Sequence, residues 1–274
     1  GDSDADPVTY PVMLWTNEGQ FDPGKDITSY TSGTVTPLPT ASDIHRTGYG
    51  FAGWYEDESF SIGPVTEIPA DAIGLKNYYA KWYAEVSTFE GIRNAVADNI
   101  PDIRISCPAG DEFIPMASTI SIGYDVTLSG DVVLKNIDTG VSIFSIYNQA
   151  DVTIEGNVRM GFVLDGGFLD GVESSEPLIS VTNGSTLNMK FVEMRYAKFS
   201  GIPQGSNPGA LYAAGGCTIN LSRCDFHDNR SLYGGAIFIN HCNLNISACE
   251  FINNESVNEG GAIEVCNASV VYIE

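Results

Sequence analysis

The residues between Cys217 and Val265 repeat themselves, and that repeat limits what the chain can become. Cys217, Ile219, Leu221, Cys224, Phe226 and Asn229 return 25 residues later as Cys242, Leu244, Ile246, Cys249, Phe251 and Asn254. Gly234-Gly235-Ala236-Ile237 returns after 26 residues as Gly260-Gly261-Ala262-Ile263. A period of this length signals a solenoid or an array. Each unit holds short alternating apolar runs broken by Asn and Gly, and no apolar series at helical spacing long enough for a helix. Three short strands and three turns per unit describe one rung of a right-handed parallel β-helix. A lone rung cannot bury its inner face, so its stability comes from stacked neighbours.

The same pair of inward positions can be followed along the chain. Ile219/Leu221 aligns backwards with Leu187/Met189, Val152/Ile154 and Val126/Leu128, and forwards with Leu244/Ile246 and Val270/Tyr272. From Val126 onward the steps are 26, 35, 32, 25 and 26 residues. A coil tolerates unequal steps because a turn can swell into a loop without disturbing the next strand. Loops of this kind, bulging from one side of the cylinder, are where a site is expected.

A net charge of −22 over 274 residues repels nucleic acid and anionic lipid, so neither is expected as a partner. No run approaches the ~18 apolar residues of a membrane span. The chain opens Gly1-Asp2-Ser3-Asp4-Ala5-Asp6-Pro7 without an initiator Met, which is expected of a terminus exposed by removal of a leader. It stops at Glu274 within a ladder strand and before any capping element, so the coil is expected to be truncated there.

Residues 8–84 do not follow the ladder. Val8, Tyr10, Val12 and Leu14 alternate as a strand, and Phe51 with Trp54 and Tyr79 with Trp82 mark two more. Trp54, Trp82 and Tyr49 serve either as the core of a small module or as an aromatic platform for sugar, and area burial favours the core. The series Pro37-Leu38-Pro39-Thr40, Arg46-Thr47-Gly48-Tyr49-Gly50-Phe51-Ala52-Gly53-Trp54-Tyr55 and Asn77-Tyr78-Tyr79-Ala80-Lys81-Trp82 resembles the Listeria-Bacteroides repeat, the B-repeat of internalin-type surface proteins. The chain departs from that pattern at Asn17-Glu18-Gly19 and at Asn77-Tyr78. The resemblance implies a small β-grasp-like module of extracellular, multi-domain surface chains.

From residue 85 onward a second module begins. Phe89, Ile92, Ala95 and Val96 fall at helical spacing before Pro101, which predicts a short amphipathic helix plugging the open end of the coil. The order helix, Ile103/Ile105, Ile120/Ile122, Val126/Leu128 is similar to the entry of pectin-lyase-like β-helices. Phe226-His227-Asp228-Asn229 and Phe251-Ile252-Asn253-Asn254, each followed by Gly-Gly-Ala-Ile, resemble the repeats of polymorphic outer membrane proteins, a family of β-helical adhesins. A degenerate copy lies at Pro208-Gly209-Ala210-Leu211. In these motifs Gly supplies positive φ at a corner, and stacked Asn side chains satisfy turn backbones.

Cysteine parity places Cys217, Cys224, Cys242 and Cys249 inside the coil. Rungs about 4.8 Å apart lie within disulfide reach, but an in-register stack points both thiols the same way, which favours free thiols. A zinc site using His227 and His241 lacks Cys-x₂-Cys spacing. For catalysis or calcium, carboxylates must converge. The candidates for a calcium or ligand site are Asp165, Asp170 and Glu173 in the longest rung, with Asp225 and Asp228 near Arg223 and Arg230 as a second cluster. Asp165-Gly166-Gly167 and Asp170-Gly171 equally read as turns. No catalytic residue and no resident cofactor is assigned, and calcium is the one cation considered. The sequons Asn220-Leu221-Ser222 and Asn245-Ile246-Ser247 follow from strand alternation and are read as structural. The expectation is a mainly all-β chain: residues 1–7 a flexible acidic start, 8–84 the β-grasp-like module, and 85–274 the right-handed parallel β-helix with its short N-terminal capping helix. It is expected to be a monomeric extracellular or cell-surface adhesin for a glycan or surface protein. The alternatives are a polysaccharide lyase or glycoside hydrolase of the pectin-lyase-like class, and a passive stalk.

Overall fold

The structure is a computed structural model that describes residues 7–159, 161–173, 175–198 and 209–274. The acidic residues 1–6, and Pro208 of the degenerate repeat copy, lie outside the described residues. The chain is mostly β and divides into two compact units, Gly1–Glu85 and Val86–Glu274. Among the described residues no helix is long and apolar enough to cross a membrane.

In the first unit Thr9–Trp15 runs parallel to Lys76–Val86 and antiparallel to Ser29–Thr31, while Gly50–Tyr55 pairs antiparallel with Lys76–Val86. The described residues of this unit contain strands and turns and no helix. Alternation sends Val12, Tyr78, Ala80 and Trp82 to one face, where they meet Trp54, Ile44 and Ile68. Trp54 and Trp82 are each 1% exposed. Their indole N–H groups donate to the carbonyls of Pro39 (2.8 Å) and Thr16 (2.9 Å), so burial of the rings leaves no donor unpaired. Both tryptophans are therefore core, and Tyr49 is half-buried with the Arg46 guanidinium 4.9 Å from its ring centre.

The second unit passes through three parallel ladders in constant order. The first ladder contains Asp102–Ile105, Val126–Ser129, Asp151–Glu155, Thr186–Lys190, Thr218–Ser222, Asn243–Ser247 and Val270–Ile273. The second contains Ile114–Met116, Val132–Asn136, Phe162–Asp165, Val192–Arg195, Asp225–His227 and Glu250–Ile252. The third contains Ile120–Ile122, Phe144–Ile146, Ile179–Val181, Leu211–Ala214, Ile237–Asn240 and Ile263–Cys266. This stack of parallel sheets is compatible with a parallel β-helix. Like residues pile on like in the interior, as in the column Leu134, Leu164, Met194, Phe226 and Phe251. Phe226 and Phe251 stack with centroids 5.0 Å apart and planes at 6°. The repeated Asn holds the corner: Asn229 Nδ2 donates to Met194 O (2.9 Å) and to Asn254 Oδ1 (3.0 Å), and its Oδ1 accepts from Ala197 N (3.1 Å).

The helix Phe89–Ala97 starts at Thr88, whose hydroxyl accepts from Gly91 N (3.0 Å). It buries Ile92, Ala95 and Val96 and packs on the three strands of the first rung. Phe89, expected on the same face, is only half-buried.

The expected alignment fails in one place. Leu244 pairs with Val271 and Ile246 with Ile273, so Val270 and Tyr272 belong to the outward positions. The reason lies in the turn entering the first ladder. Two consecutive left-handed residues make that turn at Asn148-Gln149, Asn183-Gly184, Gly215-Gly216 and Asn267-Ala268, whereas His241 makes it alone in the intervening rung. The rung at His241 is one residue short, and the next rung recovers the residue. A one-residue slip exchanges the two faces of a strand.

The two longest connections join the second ladder to the third, Asp165 to Ile179 and Arg195 to Leu211, and a further long one, 106–113, joins the first to the second. In later rungs the place between the second and third ladders is taken by the paired short strands Arg230–Tyr233 and Glu255–Glu259. All six cysteines are free. Cys217, Cys224 and Cys242 are buried as expected, and Cys249 is half-buried.

Candidate functional site

Strand alternation gives the second ladder an inner face of Leu, Met and Phe and an outer face with two polar columns. One column reads Val133, Val163, Glu193, Asp225, Glu250, and its neighbour reads Lys135, Asp165, Arg195, His227, Ile252. Parallel in-register pairing sets each residue about 4.8 Å from the next in its column. The long connections to the third ladder flank this face. Asp165, Glu193 and Asp225 are only 5–6% exposed although they point away from the core.

A buried carboxylate is costly unless paired and hydrogen-bonded, and each of these three is both. Arg195 bridges two strands: its Nε donates to Asp165 Oδ2 at 2.9 Å and its Nη1 to Glu193 Oε1 at 2.8 Å. Asp165 Oδ1 also accepts from Gly167 N (2.8 Å). Arg159, from the turn preceding Phe162–Asp165, reaches across two rungs. Its Nε and Nη2 donate to Asp225 at 3.1 and 2.7 Å, and Nη2 also reaches Glu250 at 2.6 Å. His227 has a carboxylate at each ring nitrogen, Glu193 at 2.9 Å from Nε2 and Asp228 at 2.8 Å from Nδ1. Carboxylate oxygens only accept, so the ring satisfies both when it carries two protons.

The titration behaviour follows from these contacts. Burial opposes charge on His227, but its hydrogen bonds to Asp228 and Glu193 outweigh it and raise its pKa. Arg195 is likewise opposed by burial and raised by Asp165 and Glu193. Arg159 is raised by its hydrogen bonds to Asp225 and Glu250. Between Arg159, Asp225, Phe226, His227, Glu250 and Ile252 lies an open cleft of about 200 Å³.

Of the three residues singled out in the longest rung, Asp165 belongs to this face. Asp170 ends the short 3₁₀ turn Phe168–Asp170 and ion-pairs with Lys135, and Glu173 is half-buried in the loop beyond. Asp165 and Asp170 thus face separate cations. Among the described residues no three metal-ligating side chains converge. The second expected cluster also separates. Asp225 pairs with Arg159 and Asp228 with His227, while Arg223 lies over the Phe191 ring and Arg230 meets Glu255 at 3.4 Å. Asp228 sits in a left-handed corner (φ 54°), which turns it off the face of Asp225. His227 is outside the coil and the repeated cysteines inside it, on opposite faces of the sheet. Arg159, Glu193, Arg195 and Glu250 were not singled out by sequence. The signal for Glu193 and Arg195 was the alternation Glu193-x-Arg195 and Asp225-x-His227 at outward positions of successive rungs; Arg159, in a turn, carried none.

No family model and no curated protein matches the chain. Among solved structures it is similar to a proposed glycosyl hydrolase from Parabacteroides merdae at 13% identity, with a TM-score of 0.44, over 68% of this chain and 89% of that one. A likeness this distant carries no argument about activity.

Proposed function

We propose that this protein is a secreted or cell-surface binding protein of the adhesin type, engaging an extracellular glycan through the outer face of the second ladder. In this reading residues 86–274 are a right-handed, pectin-lyase-like β-helix with adhesin-type repeats and Phe89–Ala97 as its cap. Residues 8–84 are a B-repeat module. The observation that carries the reading is the saturated network on that face. Asp165, Glu193 and Asp225 are already engaged by Arg195, His227 and Arg159. A substrate that reached a catalytic carboxylate would have to displace an ion pair. A hydroxyl-rich ligand that used the remaining N–H groups of Arg159 and Arg195 and the exposed edge of Glu250 would displace none.

One observation favours a second reading, glycoside hydrolysis. Glu193, Asp225 and Glu250 stand in one outward column on successive rungs, and paired carboxylates are what hydrolysis of a glycosidic bond requires. A polysaccharide screen that records binding and released reducing or unsaturated ends together, with and without calcium, separates the two. Binding without product, weakened by Arg159→Ala, is the result expected. Product release abolished by Glu250→Gln would replace the adhesin with an enzyme, and absence of both signals would leave a stalk.

A further inference from the structure

The outer face of the first ladder has a chemistry unlike the rest of this acidic chain. Register aligns Thr153, Asn188, Asn220, Asn245 and Tyr272 in one outward column over five successive rungs. The amides are wired together: Asn245 Nδ2 donates to Asn220 Oδ1 (2.7 Å), Asn220 Nδ2 to Asn188 Oδ1 (2.8 Å), and Asn188 Nδ2 to Asp151 Oδ1 (2.7 Å). Asn188 Nδ2 also donates to Thr153 Oγ1 (3.5 Å), whereas Asn220 and Asn245 each spend one N–H within the row and keep the second, and every amide oxygen keeps a lone pair, for an outside partner. The ladder also fixes which way each amide points, so these groups form an ordered row.

Beside this column runs a second, Glu155, Lys190, Ser222 and Ser247, which forms one wall of a groove of about 580 Å³. Asn188, Asn220, Asn245, Ser222 and Ser247 make a contiguous uncharged floor and wall on a chain whose net charge is −22. The row includes Tyr272, 64% exposed, an aromatic ring in line with the amides. Fixed amides, hydroxyls and one open ring face are suited to hydroxyl pairs and to the C–H face of a sugar ring. The charged side chains that also line the groove, Glu155, Lys190 and Glu274, sum to one negative charge, which disfavours an anionic ligand.

We infer that this groove binds a neutral polysaccharide lying along the stack axis, at a site separate from the second-ladder face. Four steps between rungs at about 4.8 Å give a groove roughly 19 Å long, so several sugar residues would be held at once. The inference shares with the proposed function only the premise that the ligand is a glycan.

Calorimetric titration of the full chain with neutral gluco-, manno- and galacto-oligosaccharides of increasing length, and with an oligouronate as the charged control, tests this. Affinity should rise with oligomer length, with the oligouronate weaker. Tyr272→Ala should weaken binding about tenfold, and Ser222→Ala/Ser247→Ala several-fold, both at exposed or half-buried positions that leave the core untouched. Neutral binding lost in Arg159→Ala but indifferent to Tyr272 and the serines would overturn the groove and leave the second-ladder reading standing. Preference for the oligouronate, or affinity independent of length, would overturn the groove as well. Absence of binding by every saccharide would overturn both readings.

Discussion

Replacing Arg195 by Ala removes the cation that two buried carboxylates share. Asp165 and Glu193 are each 5% exposed, and Arg195 reaches them at 2.9 and 2.8 Å. Breaking one side of a buried pair costs about 3–5 kcal/mol, because a charge is left behind without its counter-ion. Both carboxylates keep one partner, Gly167 N for Asp165 and His227 for Glu193, so the loss belongs at the lower end, about 3 kcal/mol. For a unit of this size that corresponds to a fall in Tm of roughly 6–12 °C. Urea unfolding of Arg195→Ala and of the parent chain at pH 7 measures the difference. The cost is one of charge left without a counter-ion. Adding Asp165→Asn to the variant should recover part of it at pH 7. A deficit under 1 kcal/mol at pH 7, or no recovery on adding Asp165→Asn, would refute the view that ion pairing is what allows these carboxylates to be buried.

Three further outcomes are expected. His227 holds its proton above the ordinary value near 6.5, so its contribution to stability is complete below about pH 6.5 and is lost as pH rises through the raised pKa; a Tm profile should fall over that window, and His227→Gln should flatten it. Ala248 occupies a corner at φ 53°, where glycine is unstrained, so Ala248→Gly should stabilise the second unit by about 1 kcal/mol and raise its Tm by a few degrees. The hydrogen bond each makes with its stacked neighbour thiol, together with burial, pushes the thiols of Cys217 and Cys224 above the ordinary range. In native protein a thiol reagent should therefore label Cys107 and Cys266 before Cys217 and Cys224, with denaturant exposing all six; prompt labelling of all six in the native state would contradict their placement.

The ladder was legible because its cause is local. Inward columns need apolar side chains at alternate positions, and a rung of nearly constant length returns them in phase, so Ile219/Leu221 led correctly to Leu187/Met189, Val152/Ile154, Val126/Leu128 and Leu244/Ile246. The same reasoning went one residue astray at Val270/Tyr272. It counted residues, whereas register depends on how many left-handed residues a turn contains, and His241 makes with one the corner that its neighbours make with two. The helix Phe89–Ala97 and the burial of Trp54 and Trp82 were likewise readable, from a helical apolar period and the area a small module needs, whereas the Thr88 cap of the helix was not singled out.

The polar site was different in kind. Arg159 meets Asp225 across 66 residues, and Arg195 meets Asp165 across 30. Those separations depend on how many residues the chain places between successive rungs. By itself the sequence determined the repeat, the inner columns and the inward placement of the repeated cysteines, because each follows from strand parity and a short period. Only the tertiary structure decided which outward charges become neighbours, because stacking brings rungs about 4.8 Å apart whatever the length of chain between them.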